Sequence, residues 1–147
     1  MTTRSKAVGA TTAVAAAVGL MIAGAAPASA TTQVGYVFNL YGGQSINSAT
    51  THLTMQVDGN LVLYCNGSNK AIWASNTFNI NGHGPDYMTF QNDGNLVVYG
   101  TWPSQDARWS SNTWGRGADT LAVQDDDNVV LYGGGIAFWA TNTRGRC

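Results

Sequence analysis

The segment Gln56-Val57-Asp58-Gly59-Asn60-Leu61-Val62-Leu63-Tyr64 occurs in three versions in this 147-residue chain. The other two are Gln91-Asn92-Asp93-Gly94-Asn95-Leu96-Val97-Val98-Tyr99 and Gln124-Asp125-Asp126-Asp127-Asn128-Val129-Val130-Leu131-Tyr132. The three copies align without gaps, at spacings of 35 and 33 residues. A second shared pattern, Trp-x-x-Asn-Thr, follows each copy, at residues 73–77, 109–113 and 139–143. A repeat of this period indicates one structural unit per copy, each packed against the others.

The residues inside each repeat favour β-strands. Short apolar, β-branched and aromatic runs are separated by Asp-Gly-Asn or glycine-rich turns. A period near 34 also suits helical repeats, but the chain has no Glu, and most of its Ala lies in the first thirty residues. Few good helix formers are therefore left for the repeats. The sequence predicts an all-β domain, with residues 34–46 forming an additional pair of strands ahead of the first repeat.

Residues 1–30 are predicted to be a secretory signal peptide. Arg4 and Lys6 form a short basic region, residues 7–26 are small and apolar, and the small residues Ala28 and Ala30 precede the expected cleavage point. We expect a secreted domain of residues 31–147. The alternative, a membrane anchor, is disfavoured because bulky apolar residues are few and no basic cluster follows, so we expect no membrane insertion.

Charge and residue types exclude several functions. The predicted mature chain has five basic residues against eight Asp, so it lacks the basic excess that a nucleic-acid partner requires. His52 and His83 stand alone, and the run Asp125 to Asp127 does not supply an oxygen cage, so we expect no metal and no cofactor. A glycosidase needs two facing carboxyl groups, whereas each repeat offers one Asp per face and no Gly-x-Ser-x-Gly is present. We therefore predict that the protein is not an enzyme.

If each nine-residue segment is a strand, alternate side chains share a face. Val57, Gly59, Leu61 and Leu63 would then face the core. The opposite face would present carboxylate, amide and phenol groups, which complement sugar hydroxyls because these both donate and accept. The alternative is that Asp-Gly-Asn is a turn or bulge and that Gln and Tyr are ordinary cross-strand partners. The presence of three copies favours the sugar-binding interpretation.

The pattern Gln-x-Asp-x-Asn-x-Val-x-Tyr, followed each time by Trp-x-x-Asn-Thr, resembles the monocot mannose-binding lectins, also called bulb-type lectins. The resemblance covers nearly all of residues 31–147. It implies a β-prism of three four-stranded antiparallel sheets around a pseudo-threefold axis, and metal-independent binding of α-mannose-terminated glycans. In that family Asp and Asn bind the axial 2-hydroxyl of mannose, Gln the 3-hydroxyl and Tyr the 4-hydroxyl, and Val packs on the ring. By resemblance, the carbohydrate-binding residues are Gln56, Asp58, Asn60, Val62, Tyr64, Gln91, Asp93, Asn95, Val97, Tyr99, Gln124, Asp126, Asn128, Val130 and Tyr132.

The chain departs from the plant members in two respects. Gly59 stands where they have one cysteine of an internal disulfide, so that bridge is predicted to be absent. The Ala- and Gly-rich signal peptide resembles bacterial ones more than plant ones. Because bacterial relatives include secreted lectins and lectin-like bacteriocins, a bacteriocin or a cell-surface adhesin using the same sites is the alternative function.

Cys65 and Cys147 are predicted to form a disulfide, because two cysteines in an exported chain of this size usually pair. In the resembled fold the C-terminal strand, expected at residues 138–143, completes the sheet of the first repeat and brings Cys147 towards Cys65. Plant relatives often exchange this strand between subunits, so a homodimer with an intermolecular bridge is the alternative.

The recurrence of Trp once in each repeat predicts a shared structural role for three of the five tryptophans. We expect these three to converge on the central axis, where they would form part of the core. Trp102 and Trp114 lie between repeats and receive no assignment. The three predicted axial residues are Trp73, Trp109 and Trp139.

Overall fold

The computed structural model describes residues 31–78, 86–101 and 105–147. The predicted signal peptide, His83 and Trp102 lie outside these residues. Within them the regular elements are twelve β-strands. In chain order they are β1 (Thr32–Val34), β2 (Phe38–Tyr41), β3 (Ser45–Asn47), β4 (Thr51–Met55), β5 (Leu61–Cys65), β6 (Ala71–Ala74), β7 (Tyr87–Phe90), β8 (Leu96–Gly100), β9 (Asp106–Ser110), β10 (Thr120–Val123), β11 (Val129–Gly133) and β12 (Ile136–Ala140).

The strands form three four-stranded antiparallel sheets, one for each repeat. Their strand orders are β3-β4-β5-β6, β2-β7-β8-β9 and β1-β10-β11-β12, which we call the first, second and third sheets. Each repeat supplies three consecutive strands. The predicted all-β, β-prism architecture of three four-stranded sheets is confirmed.

The N-terminal segment supplies the fourth strand of all three sheets. β1 pairs with β10, β2 with β7, and β3 with β4. The prediction of one additional pair of strands at residues 34–46 was therefore wrong. This segment instead forms parts of three short strands that do not pair with one another, because each covers an open edge left by a three-stranded repeat.

The prediction that residues 138–143 complete the first sheet was also wrong. β12 pairs with β11 inside the third sheet, and the place in the first sheet is taken by β3. The cause is the connection between β11 and β12, which consists only of Gly134 and Gly135 with φ values of 55° and 81°. Such a two-residue turn joins adjacent antiparallel strands and leaves no length for a crossover.

The core lies between the three sheets and is filled by alternate side chains of their strands. In β5 these are Leu61, Leu63 and Cys65, and the corresponding positions of β8 and β11 are also buried. Three tryptophans pack against this core, each with its ring in edge-to-face contact with both others, at centroid distances of 5.4–5.6 Å. Each contact contributes about 0.5–1.5 kcal/mol beyond the area it buries. The predicted convergence of Trp73, Trp109 and Trp139 is confirmed.

A buried ion pair of the second repeat packs against the turn of the first repeat. Arg108 Nη1 lies 2.7 Å from Asp86 Oδ2, and both side chains are at least 98% buried. Gly59 abuts this pair, since a Cβ on it would lie 2.2 Å from Asp86 Oδ2. Plant members of the resembled family have a disulfide cysteine at this position. In this chain the ion pair leaves no room for a side chain there, and the position is occupied by glycine.

The predicted Cys65–Cys147 disulfide is confirmed, and it lies within one chain. The tail reaches the first repeat although β12 does not, because the turn at residues 124–128 packs on the segment before β4. Asp125 Oδ1 accepts the backbone N–H of Ala49 at 2.7 Å, and Asp127 Oδ2 accepts that of Cys147 at 2.9 Å. Among the described residues, no helix has the length and apolar character needed to cross a membrane.

We expect loss of this disulfide to lower the free energy of unfolding by about 4 kcal/mol, because the bridge joins residues 82 positions apart and restricts the unfolded chain. Guanidinium unfolding of the oxidised protein and of the Cys65→Ala/Cys147→Ala variant measures the difference. The reduced wild type is the matched control and should behave like the variant. Equal unfolding midpoints for oxidised and reduced protein would contradict the prediction.

Candidate functional site

The first half of each nine-residue segment is a turn, and only the second half is a strand. In the first copy, Gln56 N–H donates to Asn60 O at 2.8 Å and Gly59 N–H to Gln56 O at 3.1 Å. Gly59 has a φ of 89°, which favours glycine. Val57 is consequently 75% exposed, and its predicted place in the core was wrong. The turn interpretation of Asp-Gly-Asn is correct for the backbone.

In the third copy Asp127 takes the place of this glycine, with a φ of 72°. Asp tolerates the left-handed region better than most residues, because its short side chain bonds locally. Asp127 Oδ2 accepts the N–H of Cys147, while Asp125 Oδ1 accepts that of Ala49. The three consecutive Asp residues thus have separate partners. No group of three or more His, Cys or Asp among the described residues is placed to hold a metal ion.

The Gln and Tyr at the two ends of each segment meet on the outer face of their sheet. The amide Nε2 of Gln56 donates to the hydroxyl of Tyr64 at 2.8 Å. The matching distances in the second and third copies are 3.1 and 3.2 Å. The turn therefore folds back over the strand and brings together residues eight positions apart in sequence. The other two pairs are Gln91 with Tyr99 and Gln124 with Tyr132.

The Asp of each copy is fixed by the backbone of the Asn two residues later. Asp58 Oδ1 accepts the N–H of Asn60 at 3.0 Å, and the distances in the other copies are 2.9 and 3.2 Å. This is the geometry of an Asx turn. One carboxylate oxygen is thereby used inside the protein, and the carboxylate has a defined orientation. The corresponding residues are Asp93 with Asn95 and Asp126 with Asn128.

The Asn side chain of each copy is bound by the Trp-x-x-Asn-Thr segment, a role that the sequence interpretation missed. Asn60 Oδ1 accepts Ser75 Oγ at 3.1 Å and the backbone N–H of Thr77 at 3.2 Å. Asn95 and Asn128 accept the same two kinds of donor at 3.0–3.3 Å. The sequence feature that could have indicated this role is the recurrence of Trp-x-x-Asn-Thr after all three copies. We call these contacts the asparagine anchor; its other donors are Ser111, Thr113, Thr141 and Thr143.

The backbone conformation explains why each Trp-x-x-Asn-Thr segment has an Asn at its fourth position. Asn76, Asn112 and Asn142 have φ values of 58°, 56° and 57°. Asn adopts the left-handed region more readily than other non-glycine residues. This bend turns the chain after β6, β9 and β12, so that the following Thr reaches the asparagine anchor.

The Val of each copy lies on the outer face of its strand but is nearly covered. Val62 and Val97 are 2% exposed and Val130 is 3% exposed, and all three lie outside the central core cluster. They place apolar atoms beneath the polar groups. Little of their surface remains for contact with a ligand.

Charge distinguishes the third copy from the other two. Asp126 Oδ2 lies 3.1 Å from Arg144 Nε, with side-chain exposures of 34% and 80%. No ion pair involves Asp58 or Asp93 within the described residues. A pair as exposed as this one contributes little to stability, so Arg144 is able to move away at small cost. The free oxygen of the carboxylate is therefore partly occupied in the third copy alone.

Several solved lectin structures superpose on this chain. A monomeric monocot mannose-binding lectin from Gastrodia elata superposes with a TM-score of 0.66 at 35% sequence identity, covering 76% of this chain and 97% of that one. A lectin from Allium sativum gives 0.62 at 38%, with 71% and 95% covered. The mannose-specific agglutinin of snowdrop (Galanthus nivalis), complexed with methyl-α-D-mannoside, gives 0.60 at 38%, with 76% and 96% covered.

The chain belongs to the monocot mannose-binding lectin family. Lectins are carbohydrate-binding proteins and not enzymes, which agrees with the prediction from the sequence. No protein-family model matches the chain, and no curated protein sequence does so either. The membership therefore rests on fold and identity together.

We expect Asn95→Ala to lower the free energy of unfolding by about 1–3 kcal/mol, because Asn95 is 92% buried and its loss leaves the Thr113 N–H without an acceptor. Chemical denaturation measures the change. The matched control is Asn92→Ala, an exposed amide in the same turn, which should alter stability by less than about 0.5 kcal/mol. Equal effects of the two substitutions would contradict the anchoring role.

Proposed function

We propose that this protein is a secreted lectin that binds α-mannose-terminated glycans without metal. The proposed sites are the three Gln-x-Asp-x-Asn-x-Val-x-Tyr segments, which we call the first, second and third sites in chain order. Membership of the mannose-binding family supports this ligand. Secretion rests on the predicted signal peptide at residues 1–30, with residues 31–147 as the mature lectin domain.

The observation that carries the proposal is how the internal hydrogen bonds are distributed. In the first site, Asp58 Oδ1 and Asn60 Oδ1 are both occupied by donors from the protein. This leaves the second carboxylate oxygen as an acceptor and the Asn amide as a donor, each with a fixed orientation. One sugar hydroxyl satisfies both groups at once, because a hydroxyl donates and accepts.

The Gln and Tyr complete the set of ligand groups. Gln56 Nε2 donates to the Tyr64 hydroxyl, so the Gln carbonyl oxygen and the Tyr O–H proton remain for a ligand. Two neighbouring hydroxyls of a sugar supply the complementary groups. A site prepared in this way loses little entropy on binding, because its polar groups are already held in place.

The proposal includes the oligomeric state of the lectin. We place the lectin as a monomer, because β12 pairs within its own chain and Cys147 is bonded to Cys65 of that chain; the alternative is a homodimer through exchange of this strand.

The alternative role is that of a lectin-like bacteriocin or a cell-surface adhesin. A growth-inhibition assay on neighbouring bacteria separates the bacteriocin from a lectin that only binds.

We expect free mannose to inhibit binding to a mannose-presenting surface more strongly than glucose or galactose. Moving a hydroxyl leaves a fixed carboxylate or amide unpaired, at a cost of about 1–3 kcal/mol for each group. A glycan array of residues 31–147 with sugar competition measures this, and addition of EDTA should not change it. Equal inhibition by mannose and glucose would refute the specificity, and loss of binding in EDTA would refute metal independence.

We expect Tyr64→Phe, Tyr99→Phe and Tyr132→Phe each to reduce avidity partly and the triple variant to abolish it. One weak site, with a dissociation constant near 1 mM, corresponds to only about −4 kcal/mol, so strong binding needs several sites on one surface. Tyr64→Phe removes a hydroxyl whose protein partner is Gln56, and Asn variants are unsuitable because they also break the asparagine anchor.

Surface plasmon resonance on immobilised mannan measures these avidities. Among the single variants, Tyr132→Phe should have the smallest effect, because Arg144 competes for the carboxylate of the third site. The unfolding midpoint of each variant serves as the control for the fold. Complete loss of binding in any one single variant would contradict the three-site proposal.

A further inference from the structure

The three sheets carry different side chains beside the Tyr of each site. On the central strand pair of the second sheet, Tyr99 lies opposite Tyr87. The equivalent partner is His52 for Tyr64 and Thr120 for Tyr132. Because directly opposite residues of an antiparallel pair share a face, these partners lie on the outer, ligand-facing side.

In the second sheet this row of aromatic residues continues to the edge strand. Tyr41 of β2 lies opposite Tyr87, with ring centroids 5.8 Å apart, and Tyr87 stacks on Tyr99 at 5.6 Å. The corresponding edge residue of the first sheet is Asn47, opposite His52. In the third sheet β1 ends at Val34, opposite Leu121, so no strand residue extends the row beyond Thr120. A row of three tyrosines is therefore specific to the second sheet among the three.

These tyrosines form one wall of an open cleft of about 610 Å³ that contains the second site's Gln91 and Tyr99. This volume lies within the range of about 300–1,000 Å³ typical of small-molecule sites. Tyr41 is 50% exposed, so half of its surface is available to a ligand. Gln105 Nε2 donates to the Tyr87 hydroxyl, which holds that ring in place.

The cleft supplies polar groups as well as aromatic faces. Asn39 and Thr89 lie opposite each other on the neighbouring row of the same outer face, and both line the cleft. Thr89 and Gln91 also line a second cleft, of about 290 Å³, which includes Asp93. The surface from Asp93 to Tyr41 is thus continuous and passes through the proposed mannose site.

We infer that the second site is an extended site, in which a second pyranose ring of the glycan packs on Tyr41 and Tyr87. The inference rests on the proposed function, since the first ring is the terminal mannose held by the Gln91-to-Tyr99 segment. The apolar C–H face of a pyranose complements the electron-rich face of a tyrosine ring. Asn39 and Gln105 bind hydroxyls at the edge of this second ring. The ligand class is therefore an α-linked dimannoside or a longer mannose chain.

A purely structural role for the row would be cross-strand stabilisation of the sheet. The two roles predict different results for Tyr41, because a structural residue would not distinguish one sugar ring from two. The test uses a background in which Tyr64→Phe and Tyr132→Phe weaken the first and third sites. Isothermal titration calorimetry then compares methyl α-mannoside with the α-linked dimannosides.

We expect the background protein to bind at least one dimannoside about three- to tenfold more tightly than methyl α-mannoside, the gain that one aromatic contact typically gives. Tyr41→Ala should remove this preference. The matched control is Asn47→Ala, which changes the equivalent edge residue of the first sheet and should keep the preference. Equal affinities for one and two rings, or equal weakening of both sugars by Tyr41→Ala, would overturn the inference.

A measurement on the wild type tests the inference without a substitution, because Tyr41→Ala could also disturb the pairing of β2. The ring NMR signals of Tyr41 and Tyr87 should shift with a dimannoside and stay in place with methyl α-mannoside. Unchanged signals with both sugars, when binding is detected, would overturn the extended site alone. Absence of binding of any mannoside to the wild type would instead overturn the proposed function and this inference with it.

Discussion

The hydrogen bonds of the asparagine anchor are the contacts on which the rest of the proposed sites depends. Asn60 Oδ1 accepts donors from the end of the sheet's last strand, which ties the turn at residues 56–60 to a rigid element. The fixed turn positions Asp58 and lets Gln56 reach the Tyr64 hydroxyl. An acceptor that is half-buried and has two protein donors costs more to disrupt than a surface contact, so the turn keeps one conformation.

The three anchored turns share one scaffold, and that scaffold is built from contacts distant in sequence. The three tryptophans meet at its centre, and the N-terminal strands β1, β2 and β3 each close a different sheet. The Cys65–Cys147 bond then joins the first repeat to the C-terminal tail. The second and third repeats take their fourth strands, β2 and β1, from the N-terminal segment, so neither forms a complete sheet by itself, whereas the four strands of the first sheet are consecutive in the chain.

The three nine-residue segments share the same five site residues but have different neighbours in the folded protein. The first site faces His52, the second faces two further tyrosines, and the third has Arg144 at its carboxylate. None of these neighbours belongs to the nine-residue pattern. The repeated segment supplies the common chemistry of a site, whereas its neighbours across the sheet decide how large a ligand fits and how strongly each site competes for it.

The sequence by itself determined the three repeats, the all-β class, the axial tryptophans and the pairing of the two cysteines. The first three followed from local signals, namely the repeat period and the short β-branched and aromatic runs inside it. The pairing followed from the presence of two cysteines in a chain predicted to be exported. Tertiary structure alone decided that Val57 points to solvent, that β12 stays in the third sheet, and that Tyr41 lies opposite Tyr87. The physical reason is that strand pairing joins residues far apart in the chain. The sequence of one strand therefore does not show which residue will lie opposite it in the sheet.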